Sequence, residues 1–164
     1  MPILAQNSFE VISRSPDQTR RFGMRLGGIL RLGDVIGLSG DLGAGKTTLV
    51  QGMTVGWGSS DDASSPTFVL VNVYRRPDHC QLFHLDAYRL SGAAEAMDLD
   101  IENMLEHGPL VVEWAERIKA ALPQKGLWIQ LKWIDEFHRD MLLSAVGDRY
   151  LALLASLRQE IFKS

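Results

Sequence analysis

Two periods of hydrophobic and polar positions divide the chain. "SFEVIS" (Ser8–Ser13) alternates as a short strand does. From Pro16 the period becomes helical: Phe22, Leu26, Ile29 and Leu30 fall on one face. Ser15, Pro16 and Gln18 supply a cap, a first helical residue and a capping-box partner, and Gly33 supplies a stop. The pattern predicts a helix over 16–31. "DVIGLSG" (Asp34–Gly40) reads as a strand, and a second helix runs from Lys46 to about Val55 with Leu49, Val50 and Met53 inward.

Beyond residue 55 the pattern turns toward strands. "GWGSSDDASSP" (Gly56–Pro66) is small, polar and rich in breakers, which predicts a mobile loop. "TFVLVNVYRR" (Thr67–Arg76) and "CQLFHLDAY" (Cys80–Tyr88) read as strands joined by the turn Pro77–His79, hence antiparallel. Residues 92–106 have a helical pattern. "GPLVVEW" (Gly108–Trp114) is a continuous apolar run of the kind buried on both faces. Leu127–Asp135 and Arg139–Val146 predict another strand pair. Tyr150, Leu154, Leu157 and Ile161 share one face of a helix over 148–162 that would cover the sheet. The sum is one α/β domain over 1–164, with a core at about 8–146 and a mixed parallel and antiparallel sheet flanked by helices.

Composition narrows the function classes. The chain has 164 residues with a formal net charge of −3, so no basic excess favours direct nucleic-acid binding. That leaves a role on RNA through partners open. The single cysteine, Cys80, cannot form an intrachain disulfide and points to a reducing compartment. Its apolar setting predicts a small core residue. The N-terminal residues have no signal-peptide pattern, and no apolar run approaches the ~18 residues of a membrane span. The expected location is cytoplasmic.

"GDLGAGKTTL" (Gly40–Leu49) carries the chemistry. Gly40, Gly45, Lys46 and Thr47 satisfy the Walker A pattern between a predicted strand and a predicted helix. Glycines let successive amides turn onto phosphate oxygens, and the following helix directs its positive end at the same anion. This predicts a P-loop NTPase-like three-layer fold, with a nucleotide held by Asp41, Leu42, Gly43, Ala44, Gly45, Lys46, Thr47 and Thr48. Lys46 would bridge the outer phosphates and Thr47 would ligate Mg²⁺.

Other residues narrow the nucleotide class. The lysines after the loop are Lys119, Lys125, Lys132 and Lys163, and none sits in a guanine-reading Asn/Thr-Lys-x-Asp segment. The segments between strands are too short for an obvious kinase lid, and no arginine stands out as a finger. A small-molecule kinase therefore remains an alternative to an ATPase. Asp86 ends "LFHLD" and Glu113 ends "PLVVE", which places both at the carboxyl edge of the sheet. One would hold the metal and the other would orient water. Their plainer roles are a strand-end turn for Asp86 and an ion pair with Arg117 for Glu113. Trp114 suits the core or a ligand.

"GDLGAGKTTL", "SSPTFVLVNVY", "FHLDAYRL" and "VVEWAERI" occur in this order. Together they resemble the TsaE (YjeE) family of tRNA threonylcarbamoyladenosine biosynthesis over about residues 8–146. The resemblance implies an ATPase using ATP and Mg²⁺, slow alone, that works with TsaD and TsaB and meets tRNA only through that complex. It implies that Lys46 and Thr47 serve phosphate and metal, and that Thr67 lies in a switch-like segment. Lys46, Asp86 and Glu113 would be catalytic; Thr47, Glu113 and Asp86 would be metal-binding; Thr67 and Trp114 would lie beside the nucleotide. Ala87 departs from the family's bulkier residue, and 127–164 is weakly matched; there the resemblance sets Arg139 against a family arginine.

Overall fold

A computed structural model describes residues 7–41, 43–63 and 71–163, leaving the side chains of the last two aside. Leu42 and residues 64–70, Thr67 among them, fall outside the described residues. Helix α1 (Pro16–Gly28) begins at Ser15, whose side chain accepts from the Gln18 amide at 3.1 Å. Gln18 Oε1 returns the bond to the Arg14 amide at 2.8 Å. Helix α2 (Lys46–Trp57) follows the glycine-rich loop and ends at Gly58 in the left-handed region. It extends slightly beyond the helix expected from sequence.

One sheet runs through the molecule. Its strands are β1 (Ser8–Ser13), β2 (Val35–Ser39), β3 (Val71–Arg75), β4 (Gln81–Asp86), β5 (Leu110–Glu113), β6 (Gly126–Trp133) and β7 (Arg139–Val146). Their spatial order is β1-β7-β6-β2-β5-β4-β3. The centre is parallel, with β2 between β5 and β6 and with β4 beside β5. The edges are antiparallel hairpins, β3–β4 and β6–β7, with β1 added antiparallel to β7. The expected mixed sheet is therefore present, as are both expected strand pairs.

Two cores cover the sheet's faces. On one face, α1, α2 and α5 (Asp148–Lys163) pack Leu26, Leu49, Met53, Leu154 and Leu157 against Ile36, Leu38, Ile129 and Leu143. On the other, Ile101 and Met104 meet Leu85, Leu110 and Val112. Helices α1 and α2 approach through facing glycines. A Cβ on Gly27 would overlap the Met53 carbonyl, and one on Gly52 would overlap the Arg20 carbonyl. Helix α5 is tied down by Arg149, which reaches Asp34 at 2.9 Å and the Ile29 carbonyl at 2.8 Å.

Two local expectations change. The helical pattern over 92–106 breaks into α3 (Ala93–Ala96), a 3-10 turn and α4 (Ile101–His107). Asp100 sits at φ 55 and its side chain accepts from the Asn103 amide, so it starts a new helix instead of continuing the old one. Cys80 is exposed, contrary to the core role expected from its apolar neighbours. The chain turns through His79 at φ 69, and β4 begins only at Gln81.

Candidate functional site

The phosphate loop lies between β2 and α2 at the carboxyl edge of the parallel strands. Gly40, Gly43 and Gly45 all adopt positive φ (138°, 80° and 101°). At Gly40 space is also decisive, because a Cβ there would overlap the Leu131 carbonyl. A Cβ on Gly43 would meet nothing within 4 Å, so the cradle beside it is open. Ala44 is buried, and its amide closes a turn on the Asp41 carbonyl at 3.1 Å. The first turn of α2 carries no acid, which leaves its dipole end free for an anion.

Lys46 is folded back across this loop. Its Nζ donates to the carbonyls of Gly40 and Asp41, the latter at 2.9 Å, and stands 4.1 Å from the centre of the Trp114 ring. Burial lowers its pKa from the ordinary lysine value, opposed by the charges of Glu113, Glu116, Asp41 and Asp86. Trp114 reaches this position because it adopts φ 58 just after β5. Its ring lies 5.0 Å from that of Tyr88.

Asp86 and Glu113 end neighbouring parallel strands and pair directly in register. Glu113 is only 2% exposed. Its Oε1 accepts from Thr47 Oγ1 at 3.5 Å, and its Oε2 stands 2.6 Å from His84 Nε2. Arg117, the partner considered from sequence, instead lies over the rings of Tyr88 and Trp114. Asp86 does accept the Tyr88 amide at 2.9 Å, as a strand-end turn residue would. Burial raises its carboxyl above the usual range, the Tyr88 amide opposes that, and the Glu113 charge adds to the rise.

These residues surround one cavity of about 380 Å³. Gly43, Gly45, Lys46, Thr47 and Thr48 form one wall, and Asp86, Glu113 and Trp114 form the other. Tyr88 and Arg139 complete the lining. Asp41 faces a neighbouring groove with Glu116 and Trp133. Arg139, which the sequence offers only through the resemblance to a family arginine, lies in the cavity lining. It opens β7, and its guanidinium is held by the carbonyls of Asp135 at 2.6 Å and His138 at 3.0 Å. His84 enters the sequence reading only as part of "FHLDAYRL", with no role of its own, because a histidine inside an apolar strand gives no local sign of what it faces. A two-residue alternation from Asp86 does put His84 on the carboxylate's side of β4.

The family model described as "Threonylcarbamoyl adenosine biosynthesis protein TsaE" matches residues 13–141. The chain belongs to the TsaE family. It is 36% identical to the TsaE protein of Bacillus subtilis over 143 residues, covering 87% of this chain and 89% of that one. It is 48% identical to the TsaE protein of Streptomyces coelicolor over 138 residues, covering 80% and 93% of the two chains. The fold is similar to the crystal structure of Bacillus subtilis YdiB, with a TM-score of 0.77 at 30% identity over 93% of this chain and 95% of that one. The TsaE match thus spans both walls of the cavity. Among the described residues, no helix is long and apolar enough to cross a membrane.

Proposed function

We propose that this TsaE-family chain binds ATP with Mg²⁺ on the Gly40–Thr48 loop and hydrolyses it in support of tRNA threonylcarbamoyladenosine formation. Hydrolysis is slow for the chain alone and faster with TsaD and TsaB, through which the chain meets tRNA in the cytoplasm. The observation that carries the reading is the meeting of Glu113 with Thr47, an acid from the sheet edge beside the hydroxyl of the phosphate loop.

The donor set fits magnesium. Thr47, Glu113 and Asp86 offer hard oxygen atoms beside an open anion cradle. Among the described residues, no cluster of three His, Cys, Asp or Glu side chains forms a protein-only cage. That suits an ion that takes its remaining ligands from phosphate and water. When bound, Mg²⁺ neutralises charge on the phosphate oxygens.

The chain's own groups do the rest. Loop amides and the N-terminus of α2 grip the phosphates. Lys46 exchanges its carbonyl contacts for phosphate oxygens. Thr47 and one carboxylate hold the cation, and the other carboxylate orients the attacking water. Trp114 closes one side of the nucleotide site, and the segment carrying Thr67 acts as a nucleotide-responsive switch.

Phosphate release tests this directly. Free phosphate should form from ATP without any acceptor, which separates hydrolysis from a kinase reaction. Glu113→Ala should lose that activity while retaining ATP binding. Equal steady-state rates with and without TsaD and TsaB would count against the partner-dependent part.

A further inference from the structure

We propose that His84 and Tyr74 are positioning residues for Glu113. They anchor one carboxylate oxygen inside the sheet and thereby aim the other at Thr47. The proposal rests on the reading of Glu113 as an acid of the ATP site.

The geometry is a hydrogen-bonded row across three strands. Asn72 Nδ2 donates to Tyr74 Oη at 3.4 Å on β3. Tyr74 Oη lies 2.8 Å from His84 Nδ1 on β4. His84 Nε2 lies 2.6 Å from Glu113 Oε2 on β5. With the imidazole proton on Nε2, Tyr74 donates to Nδ1 and His84 donates to the carboxylate, so every donor points toward Glu113. Thr47 donates to the opposite oxygen from the other side. A hydroxyl that gives its proton to Oε1 keeps its lone pairs for a cation.

Burial makes this row more than incidental. His84 is 0% exposed and shares its sheet face with the apolar Leu82 and Val111. A polar ring in such a place is costly unless both nitrogens are satisfied, and both are. The buried carboxylate is held at both oxygens, so it cannot swing freely toward Asp86 or away from the loop. A side chain fixed in this way needs no reorganisation when nucleotide arrives.

The test uses the full chain with His84→Asn, His84→Gln and Tyr74→Phe. Asn is too short to reach Glu113, whereas Gln carries an amide N–H to about where Nε2 stood. His84→Asn should lower kcat for ATP hydrolysis by about 10–100-fold with little change in KM. His84→Gln should recover most of it, and Tyr74→Phe should show a smaller loss of the same kind. Calorimetry with a non-hydrolysable ATP analogue provides a readout independent of turnover. The variants should bind it normally without Mg²⁺ but lose part of the gain in affinity that Mg²⁺ confers on the wild type. If His84→Asn does not fold, as judged by thermal melting, Tyr74→Phe still decides the matter. Wild-type kcat and wild-type Mg²⁺ dependence in folded Tyr74→Phe, or in folded His84→Asn, overturn the proposal. Retained hydrolysis in Glu113→Gln would instead overturn the reading of Glu113 beneath it.

Discussion

The two walls of the cavity are made of different material. The phosphate wall is backbone: three glycines at positive φ and the start of a twelve-residue helix. It is backed by α1, whose glycines let the two helices touch main chain to main chain. The acid wall is side chain: carboxylates from two strands, of which Glu113 is held by a histidine that a tyrosine of the same hairpin backs. Amides belong to the chain wherever it turns correctly, so the first wall needs only a short contiguous segment. A carboxylate must be both aimed and kept charged, so the second needs partners brought from far along the chain. The first should fail by losing its ligand, and the second by losing its chemistry.

Lys46→Ala should produce the largest effect, a loss of hydrolysis on the order of 10³-fold or more, because no other loop side chain offers a cation to the phosphates. A near-normal rate of phosphate release would remove the backbone wall's claim to be the phosphate site. Glu113→Gln sharpens the contrast. It should cost about 10²-fold or more in rate while affinity for ATP stays within a few-fold. Equal losses of binding and rate would make both walls binding surfaces.

Gly52→Val probes the backbone wall without touching the ligand. Its side chain would press on the Arg20 carbonyl and should destabilise the fold by about 1–3 kcal/mol, as overpacking does. For a chain of this size each kcal/mol lowers the melting temperature by roughly 2–4 °C. ATP affinity should fall with it, because α2 carries the cradle. A variant as stable as the wild type would show that the helices can separate without harm.

Asp86→Asn should be the smallest change in stability. Burial raises the folded-state pKa of Asp86 above its usual 3.8, so the folded chain holds that proton more tightly than the unfolded one. Ionised Asp86 therefore works against folding. The penalty opens as pH rises from about 3.8 through the folded value and then stays constant. The half-exposed position keeps it small, about 1 kcal/mol or less. Asp86→Asn should melt slightly higher than the wild type at neutral pH, and the gap should close in acid while hydrolysis falls. A gap that widens in acid would reverse the sign of this account.

Legibility from sequence followed the same division. The Walker A residues, the strand before them and the helix after them are contiguous, and local pattern placed them well. So were the ends of β4 and β5, where Asp86 and Glu113 follow apolar runs. The helical pattern over 92–106 does not form one helix because Asp100 takes a left-handed turn and caps a new helix, a choice its neighbours' hydrophobicity does not announce. Cys80 is exposed although its neighbours point to the core, because an apolar run hides where a turn ends. His84 and Arg139 carried no local sign of their surroundings. One is buried against an acid of the next strand, and the other opens a distant strand that reaches the cavity.

The sequence by itself determined the segments, the phosphate loop and the family, because each is written in consecutive residues or in ordered motifs. Tertiary structure decided which partners the acids have. Parallel pairing of β4 with β5 sets Asp86 beside Glu113, and pairing of β3 with β4 brings Tyr74 to His84. The physical reason is range. Backbone conformation depends on neighbours in the chain, whereas the direction of a buried carboxylate is fixed only when separate strands close around it.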